Sequence, residues 1–324
     1  MTATAELVKQ FNVIARTTFN KKYESHKPKF KNLLFTFDSG LVDSNFFPYF
    51  DFLDQVEEWT GTRIYQTFPE GHQFRIENKK FDTGIKIGVE KFERASNQVN
   101  NALAPLNPYK IRIGELGVMA ADFPSVRAID MVIDGDTNTF GTTFDGQNFF
   151  SATHDYAPTA GSQNNIIGGT GISLSQIEAD LISARSRFAG FSYVQSPNDR
   201  VRGLNESIEG MKMLVIAPSN LDGQFYKLKQ STFFNNSDNP SRTTFDFMTL
   251  PSLTADDPND WYVALLDEEM MKPFLHQVEK PFAIDLPKAD DESVRQRDEF
   301  EWGIRGRMNV AYGAWWKMIK ITNS

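Results

Sequence analysis

The chain has 324 residues and no cysteine, with 34 Lys and Arg against 42 Asp and Glu, four histidines and 28 phenylalanines. That excludes disulfides, thiolate catalysis and cysteine-ligated metal or iron–sulfur sites, and a net charge of -8 argues against a dedicated nucleic-acid binder. A 40% hydrophobic content excludes a disordered chain, and no signal-peptide pattern or run of roughly 20 apolar residues occurs, so a soluble protein of a reducing cytosol is expected.

Charge is unevenly placed. Residues 1–34 hold Lys9, Arg16, Lys21, Lys22, Lys27, Lys29 and Lys31 against Glu6 and Glu24, a balance of +5 that leaves -13 on the rest. Leu7, Phe11, Ile14 and Thr18 recur at helical spacing over residues 4–20, with Thr4 as a cap. Nothing in the pattern names a partner within the chain, so the stripe is expected to dock on an adjacent subunit. "ESHKPKFKN" reads as an extended linker, and Phe46–Arg63 as aromatic residues around a short acidic helix closed by a turn at Gly61. From Ile64 to Val89 apolar and charged residues alternate, Phe74 and Ile76 against Arg75 and Glu77, then Ile85, Ile87 and Val89 against Lys86 and Glu90. With a turn at Pro69-Glu70-Gly71 this predicts a long hairpin that reaches a neighbour.

A long helix follows. Asn107 caps, Pro108 sits at its first position, and Ile113, Leu116, Ala120, Phe123, Val126, Ile129 and Ile133 form the stripe. Pro124 kinks it without ending it and Gly135 stops it, giving about 40 Å. Residues 135–172 read as loop. Ser173 and Gln176 make a capping box for a helix burying Ile177, Leu181, Ala184 and Phe188. Met211–Ala217 is a buried strand running into a helix near Leu221, and a polar excursion, "FNNSDNPSR", follows it. "WYVALL", "KPFLHQ" and two strands within "DEFEWGIRGRMNVAYGAWWKMIKI" complete a mixed α+β class.

Candidate chemistry is thin. "FDGQNFFSATHDY" holds Ser151, His154 and Asp155 within five positions, but a triad needs the imidazole between hydroxyl and carboxylate, and no G-x-S-x-G elbow occurs. The structural reading makes Asp145-Gly146 a turn, Phe149 and Phe150 anchors, and Ser151 and Thr153 partners of local backbone. A serine hydrolase using Ser151 and His154 is therefore the weakest of three functional readings. "IGGTGISLSQ" lacks the G-K-[ST] of a phosphate loop and reads as a lead-in to the Ser173 cap. The acidic runs Asp256-Asp257, Asp267-Glu268-Glu269 and Asp290-Asp291-Glu292 lack EF-hand spacing, and His26, His72, His154 and His276 are scattered. No catalytic, cofactor-binding or metal-ligating residue is assigned, and no cofactor is expected.

"EWTGTR", "FRIENKKFDTGIKI", "FDGQNFFSATH" and "WGIRGRMNVAYGAWW" together resemble the Mu-like phage major head subunit family. Each is weak alone, but four in the family's order and spacing, from about residue 45 to the end, are specific. Residues 1–44 match least, and "EKFERASNQVNNA" lacks an acidic run expected in the family. The resemblance implies the Hong Kong 97-type major capsid fold: an N-terminal arm at 1–44, a peripheral domain at 45–60 and 91–134 with the spine helix, and an extended E-loop hairpin at 61–90. The axial domain would take 135–265, peripheral return strands 266–307, and a final axial strand 308–324.

It also implies a structural protein, not an enzyme, forming hexamers and pentamers of itself around double-stranded DNA in a tailed-phage head. Separate scaffold, maturation protease and portal proteins, a decoration protein and non-specific DNA contact belong to that reading. Membrane contact does not. The expected location is the virion, after assembly in the bacterial host cytoplasm. A fused N-terminal scaffold and isopeptide crosslinking through Lys79, Lys80 or Lys86 are not favoured. The runner-up is an encapsulin-like shell on the same fold that packages a cargo enzyme.

Overall fold

A computed structural model describes residues 2–40, 42–49, 72–97, 103–155, 161–193, 201–205, 212–234, 237–266, 271–288 and 291–323. The turns expected at Gly61 and at Pro69–Gly71, and the helix expected beyond Tyr49, lie outside them.

The N-terminal segment is a single helix, α1 (Thr2–Ser25), longer than its capping signal implied. A 3-10 turn at Lys31–Leu33 replaces the expected extended linker, because Phe30 and Leu33 are fully buried and fold the chain back. β1 (Leu34–Asp38), β2 (Ser44–Tyr49), β3 (His72–Glu77) and β4 (Lys79–Gly88) follow, then α2 (Val89–Ser96) and the long α3 (Asn107–Ile133). β5 (Ile166–Gly168), α4 (Leu174–Gly190), the two-residue strands β6 (Ser192–Tyr193) and β7 (Arg202–Gly203), and β8 (Lys212–Pro218) come next. After α5 (Asp222–Gln230) the excursion forms β9 (Phe233–Phe234) and β10 (Ser237–Asp238), ahead of β11 (Phe245–Leu250), α6 (Pro251–Asp256) and β12 (Trp261–Leu266). β13 (Phe274–Asp285), α7 (Glu292–Arg297), β14 (Glu299–Tyr312) and β15 (Met318–Thr322) finish the chain.

Two sheets carry two cores. A five-stranded sheet, β11-β8-β12-β15-β5, packs against α4 and α5 through Val215, Ile216, Val263, Ile319, Leu181, Phe188 and Phe225. A four-stranded sheet, β1-β13-β14-β4, turns Phe300, Trp302, Ile304 and Met308 toward α1, α2 and the first half of α3. Period-two alternation explains that face, since Glu301 and Arg305 on the same strand point away. α3 ties the two cores together: Ile113, Leu116 and Ala120 belong to the second, Ala128, Met131 and Val132 to the first. Pro124 lies inside it without ending it. Val126, expected in the stripe, is 51% exposed, and Ser125 and Ala128 hold the buried side there instead. Asn107 does not cap. It is already helical, and a 3-10 turn at Ala104–Leu106 leads into it.

The hairpin differs from its expected pairing. β3 pairs antiparallel with β2, from Ser44 opposite Glu77 to Tyr49 opposite His72, whereas β4 pairs along its whole length with β14. The outgoing arm therefore begins at Ser44, and residues 79–88, assigned to the E-loop range 61–90, belong to the body sheet. Likewise β14 runs unbroken through the boundary placed between 307 and 308. Alternation identified the strands, but it does not say which strand lies beside which.

Candidate assembly surfaces and the Ser151 loop

The Ser151 loop is built around a buried imidazole. Gly146 at φ +77 closes the turn, its N–H donating to the Thr143 carbonyl at 3.0 Å. The turn aims the Asp145 carboxylate inward, where it accepts the N–H of Gln147 and of Asp155, both at 3.2 Å, and the Thr143 hydroxyl. His154 Nδ1 lies 2.8 Å from Asp145 Oδ2, and its Nε2 lies 3.1 Å from the Phe149 carbonyl. Burial alone would raise the Asp145 carboxyl, but the hydrogen bond and charge of His154, with Thr143 and Gln147, hold it below the ordinary range. The His154 ring is fully buried and stacks on Trp315, centroids 4.3 Å apart and planes 2° from parallel.

Both ring nitrogens of His154 are thus engaged, and neither by Ser151. Ser151 Oγ instead accepts the Thr153 N–H at 3.2 Å and lies 3.2 Å from the Thr153 hydroxyl. The carboxylate beside the histidine is Asp145, which sequence reasoning took for a turn residue only, and not Asp155. Phe149 stacks on Tyr312 at 4.8 Å, and Phe149 and Phe150 are buried as anchors. Other backbone donors near the second motif are also taken: Thr170 N–H bonds the Asp180 carboxylate at 2.9 Å and Gly171 N–H bonds Asn323 Oδ1 at 3.0 Å. A phosphate there would meet a carboxylate. Asp257 and Asp291 accept local backbone N–H groups at 2.7 Å, as turn residues do. Among the described residues no group of three His, Asp or Glu side chains is arranged to hold a metal, and no helix is long and apolar enough to cross a membrane.

The stripe on α1 has its partner within the chain, which overturns the expectation that a neighbouring subunit covers it. Leu7, Val8, Phe11, Ala15 and Phe19 are buried against α2, α3 and β14. Phe11 meets Phe92 and Trp302 edge-on at 5.7 and 5.3 Å. Asn12 is a polar latch, its Oδ1 accepting from Trp302 Nε1 at 2.8 Å and its Nδ2 donating to the Pro287 carbonyl at 2.9 Å. The close approach depends on α3 glycines: a Cβ at Gly117 would stand 2.7 Å from the Phe19 carbonyl oxygen. α1 leaves Lys9, Arg16, Lys21 and Lys22 exposed, and Lys27, Lys29 and Lys31 just beyond it are exposed too.

The hairpin is bolted at its base, and among the described residues its two strands pair with each other beyond it. Gln277 Nε2 donates to the Ile76 carbonyl at 3.2 Å and Asn309 Nδ2 to the Glu77 carbonyl at 2.8 Å, while Ile76 packs on Leu275 and Ala311. Among the described residues β2 and β3 form a two-stranded sheet. Lys79, Lys80 and Lys86 are exposed on β4, and Lys86 pairs with Glu301 at 3.2 Å and Glu299 at 3.5 Å.

A body of two cores, a long helix joining them and a two-stranded ribbon are the parts of the Hong Kong 97-type major capsid fold. The bacteriophage JBD30 procapsid chain shares that fold, with TM-score 0.52 at 15% identity over 98% of this chain and 76% of that one. The family model of the Mu-like prophage major head subunit gpT matches residues 8–177 and 219–323, and the chain belongs to that family. It is 32% identical over 96 residues to the Mu-like prophage FluMu major head subunit of Haemophilus influenzae, covering 29% of this chain and 30% of that protein. It is 25% identical over 193 residues to the major capsid protein of Escherichia phage Mu, covering 60% of this chain. The matched region spans 55% of the Mu protein's length.

Proposed function

We propose that the chain is the structural shell subunit of a tailed-phage head, assembling with copies of itself into hexamers and pentamers around double-stranded DNA. The family match over both cores carries this reading. The ribbon supports it, because a two-stranded β-ribbon is marginal in water and gains stability by lying on another surface. In this reading the four-stranded sheet with α1, α2 and the first half of α3 is the peripheral domain, and the five-stranded sheet with α4 and α5 is the axial one. The subunit is a virion component assembled in the bacterial host cytoplasm, with separate scaffold, maturation protease and portal proteins and a decoration protein. The exposed lysines of α1 supply non-specific contact with packaged DNA.

No catalytic role is assigned to Ser151 or His154. The engaged imidazole favours a structural loop over a hydrolase, and the family match favours a phage head over an encapsulin-like cage. Electron microscopy of particles formed on expression of the full chain tests both points. Closed shells that package DNA when the phage head proteins are supplied are expected. Small cages filled with a protein cargo, or ester or peptide hydrolysis lost in Ser151→Ala, would overturn the reading.

A further inference from the structure

β4, β14 and β13 bring four cations into one short stretch of the four-stranded sheet. Arg307 of β14 stands in register with Lys80 of β4 on one side and Lys280 of β13 on the other, and Arg305 stands opposite Asp82. Side chains alternate along a strand, so Lys80, Arg305 and Arg307 share the face turned away from Trp302 and Met308. Lys80, Lys280 and Arg305 are exposed, and among the described residues none of them has an ion-pair partner. Like charges directly opposite each other on a sheet are destabilising, and neighbouring strands lie only about 4.8 Å apart. The fold nonetheless keeps these cations together and orients one of them: Glu279, its side chain 3% exposed, holds the Arg307 guanidinium at 2.9 Å. Glu279 sits at an irregular point of β13, where register shifts flank Lys280.

Beyond residues 1–34 the chain carries -13, so this row is a basic island on an acidic body. The chain also carries the matching acid. The 22 residues that join β2 to β3, 50–71, hold Asp51, Asp54, Glu57, Glu58 and Glu70 against Arg63, a balance of -4. They leave from Tyr49 and return at His72, the far end of the ribbon, whereas Lys80 and Arg307 lie near its root. Pairing from Ser44–Glu77 to Tyr49–His72 sets the two ends about 17 Å apart, at ~3.4 Å per residue. The ribbon thus carries its own acidic segment away from its own basic row, and a second copy is what brings acid and base together.

We propose that the row of Lys80, Lys280, Arg305 and Arg307 is the seat for residues 50–71 of a second copy of this chain, held by contacts of carboxylate with ammonium and guanidinium groups. The inference rests on the shell-subunit reading and adds to it the surface that one copy offers another. Exposed charge pairs are individually weak, so the row speeds encounter and fixes register more than it adds affinity.

Charge reversal, rescue and crosslinking test it. Lys80→Glu with Arg305→Glu changes two exposed, unpaired positions and leaves the Arg307–Glu279 pair alone, so the subunit should keep its melting temperature. The yield of closed shells, counted by electron microscopy with the phage head proteins supplied, should fall at least tenfold. Adding Glu57→Lys and Glu58→Lys to the same chain should bring the yield back to within twofold of the wild type, a rescue that a purely structural role of the row does not allow. A second measurement needs no variant. In shells assembled from mixed ¹⁴N and ¹⁵N wild-type chains, a carbodiimide should join Lys80 or Lys280 to a carboxylate of residues 51–58 in peptides of mixed isotope. Normal shell yield from the reversed row, a failed rescue, links within one isotope only, or a defect confined to DNA retention would each overturn the proposal. Wild-type chains that form no shells would overturn the shell-subunit reading itself, so the two failures are told apart.

Discussion

α1 and the β2–β3 hairpin look alike as sequence, each an amphipathic segment with charge on one side, yet the fold treats them oppositely. α1 sinks Leu7, Phe11, Ala15 and Phe19 into its own chain and keeps its lysines outside. Among the described residues the hairpin is fastened to the body through Phe74 and Ile76–Asn78, and its two strands pair with each other. An apolar stripe says that something covers it, not whose surface does so. The glycines of α3 settle the matter for α1 by letting its backbone come close enough to bury whole rings.

The largest effect should come from Phe11→Ala, which removes a ring held between Phe92 and Trp302. A loss of about 3–5 kcal/mol in denaturant unfolding of the isolated subunit is expected. A loss below 1 kcal/mol would mean that α1 is not docked in the free chain. His154→Ala should cost a comparable ~3–5 kcal/mol, because it strips the buried Asp145 carboxylate of its imidazole partner and empties the space stacked on Trp315. Here the comparison is with Ser151→Ala, which breaks only the exposed contacts to Thr153 and should shift stability by ~0.5 kcal/mol or less.

Acid should weaken the α1 side next. His276, buried on β13 beside Thr36 of β1, has a folded-state pKa of about 4, below its ordinary value near 6.5. The unfolded chain therefore takes up the proton first as pH falls. Stability should decline between pH 6.5 and 4, by up to ~3 kcal/mol, and be unaffected by this group above pH 7. Urea titrations across that window should show the slope, and His276→Gln should flatten it. Gly117→Val should cost on the order of 1–3 kcal/mol, since the clash is with the Phe19 backbone oxygen and cannot be relieved by a side-chain rotation. Replacing residues 49–72 with a short Gly-Ser turn, which keeps Phe74 on the core, should give the smallest change in melting temperature and the largest in assembly: a folded subunit that forms no closed shells.

Local signals in the sequence carried much of the fold. The capping box stands as read: the Ser173 N–H donates to Gln176 Oε1 at 3.1 Å, and Ile177, Leu181, Ala184 and Phe188 are buried as spaced. Alternation marked β3 and β4, and Pro124 neither ended α3 nor hid its length. What was illegible was partnership. β2 and β3 are separated by 22 residues, and β1 lies parallel to β13, Leu34 opposite Phe274, so local periodicity cannot register either pairing. Gly114 and Gly117 are costly inside a helix by propensity alone, and only the fold shows that they are the seat of α1. The Ser151 loop was legible in its Phe149 and Phe150 anchors. The role of Asp145 was not, since a turn aspartate and a buried ion-pair partner have the same letters.

Hydrogen–deuterium exchange, followed peptide by peptide on the full-length subunit and on assembled particles, tests the contrast most directly. Residues 7–23 should be protected in both states, and residues 44–49 and 72–75 should exchange rapidly in the subunit and slow on assembly. Fast exchange of α1 in the free subunit with protection only in particles, or equal protection of the hairpin in both, would contradict it.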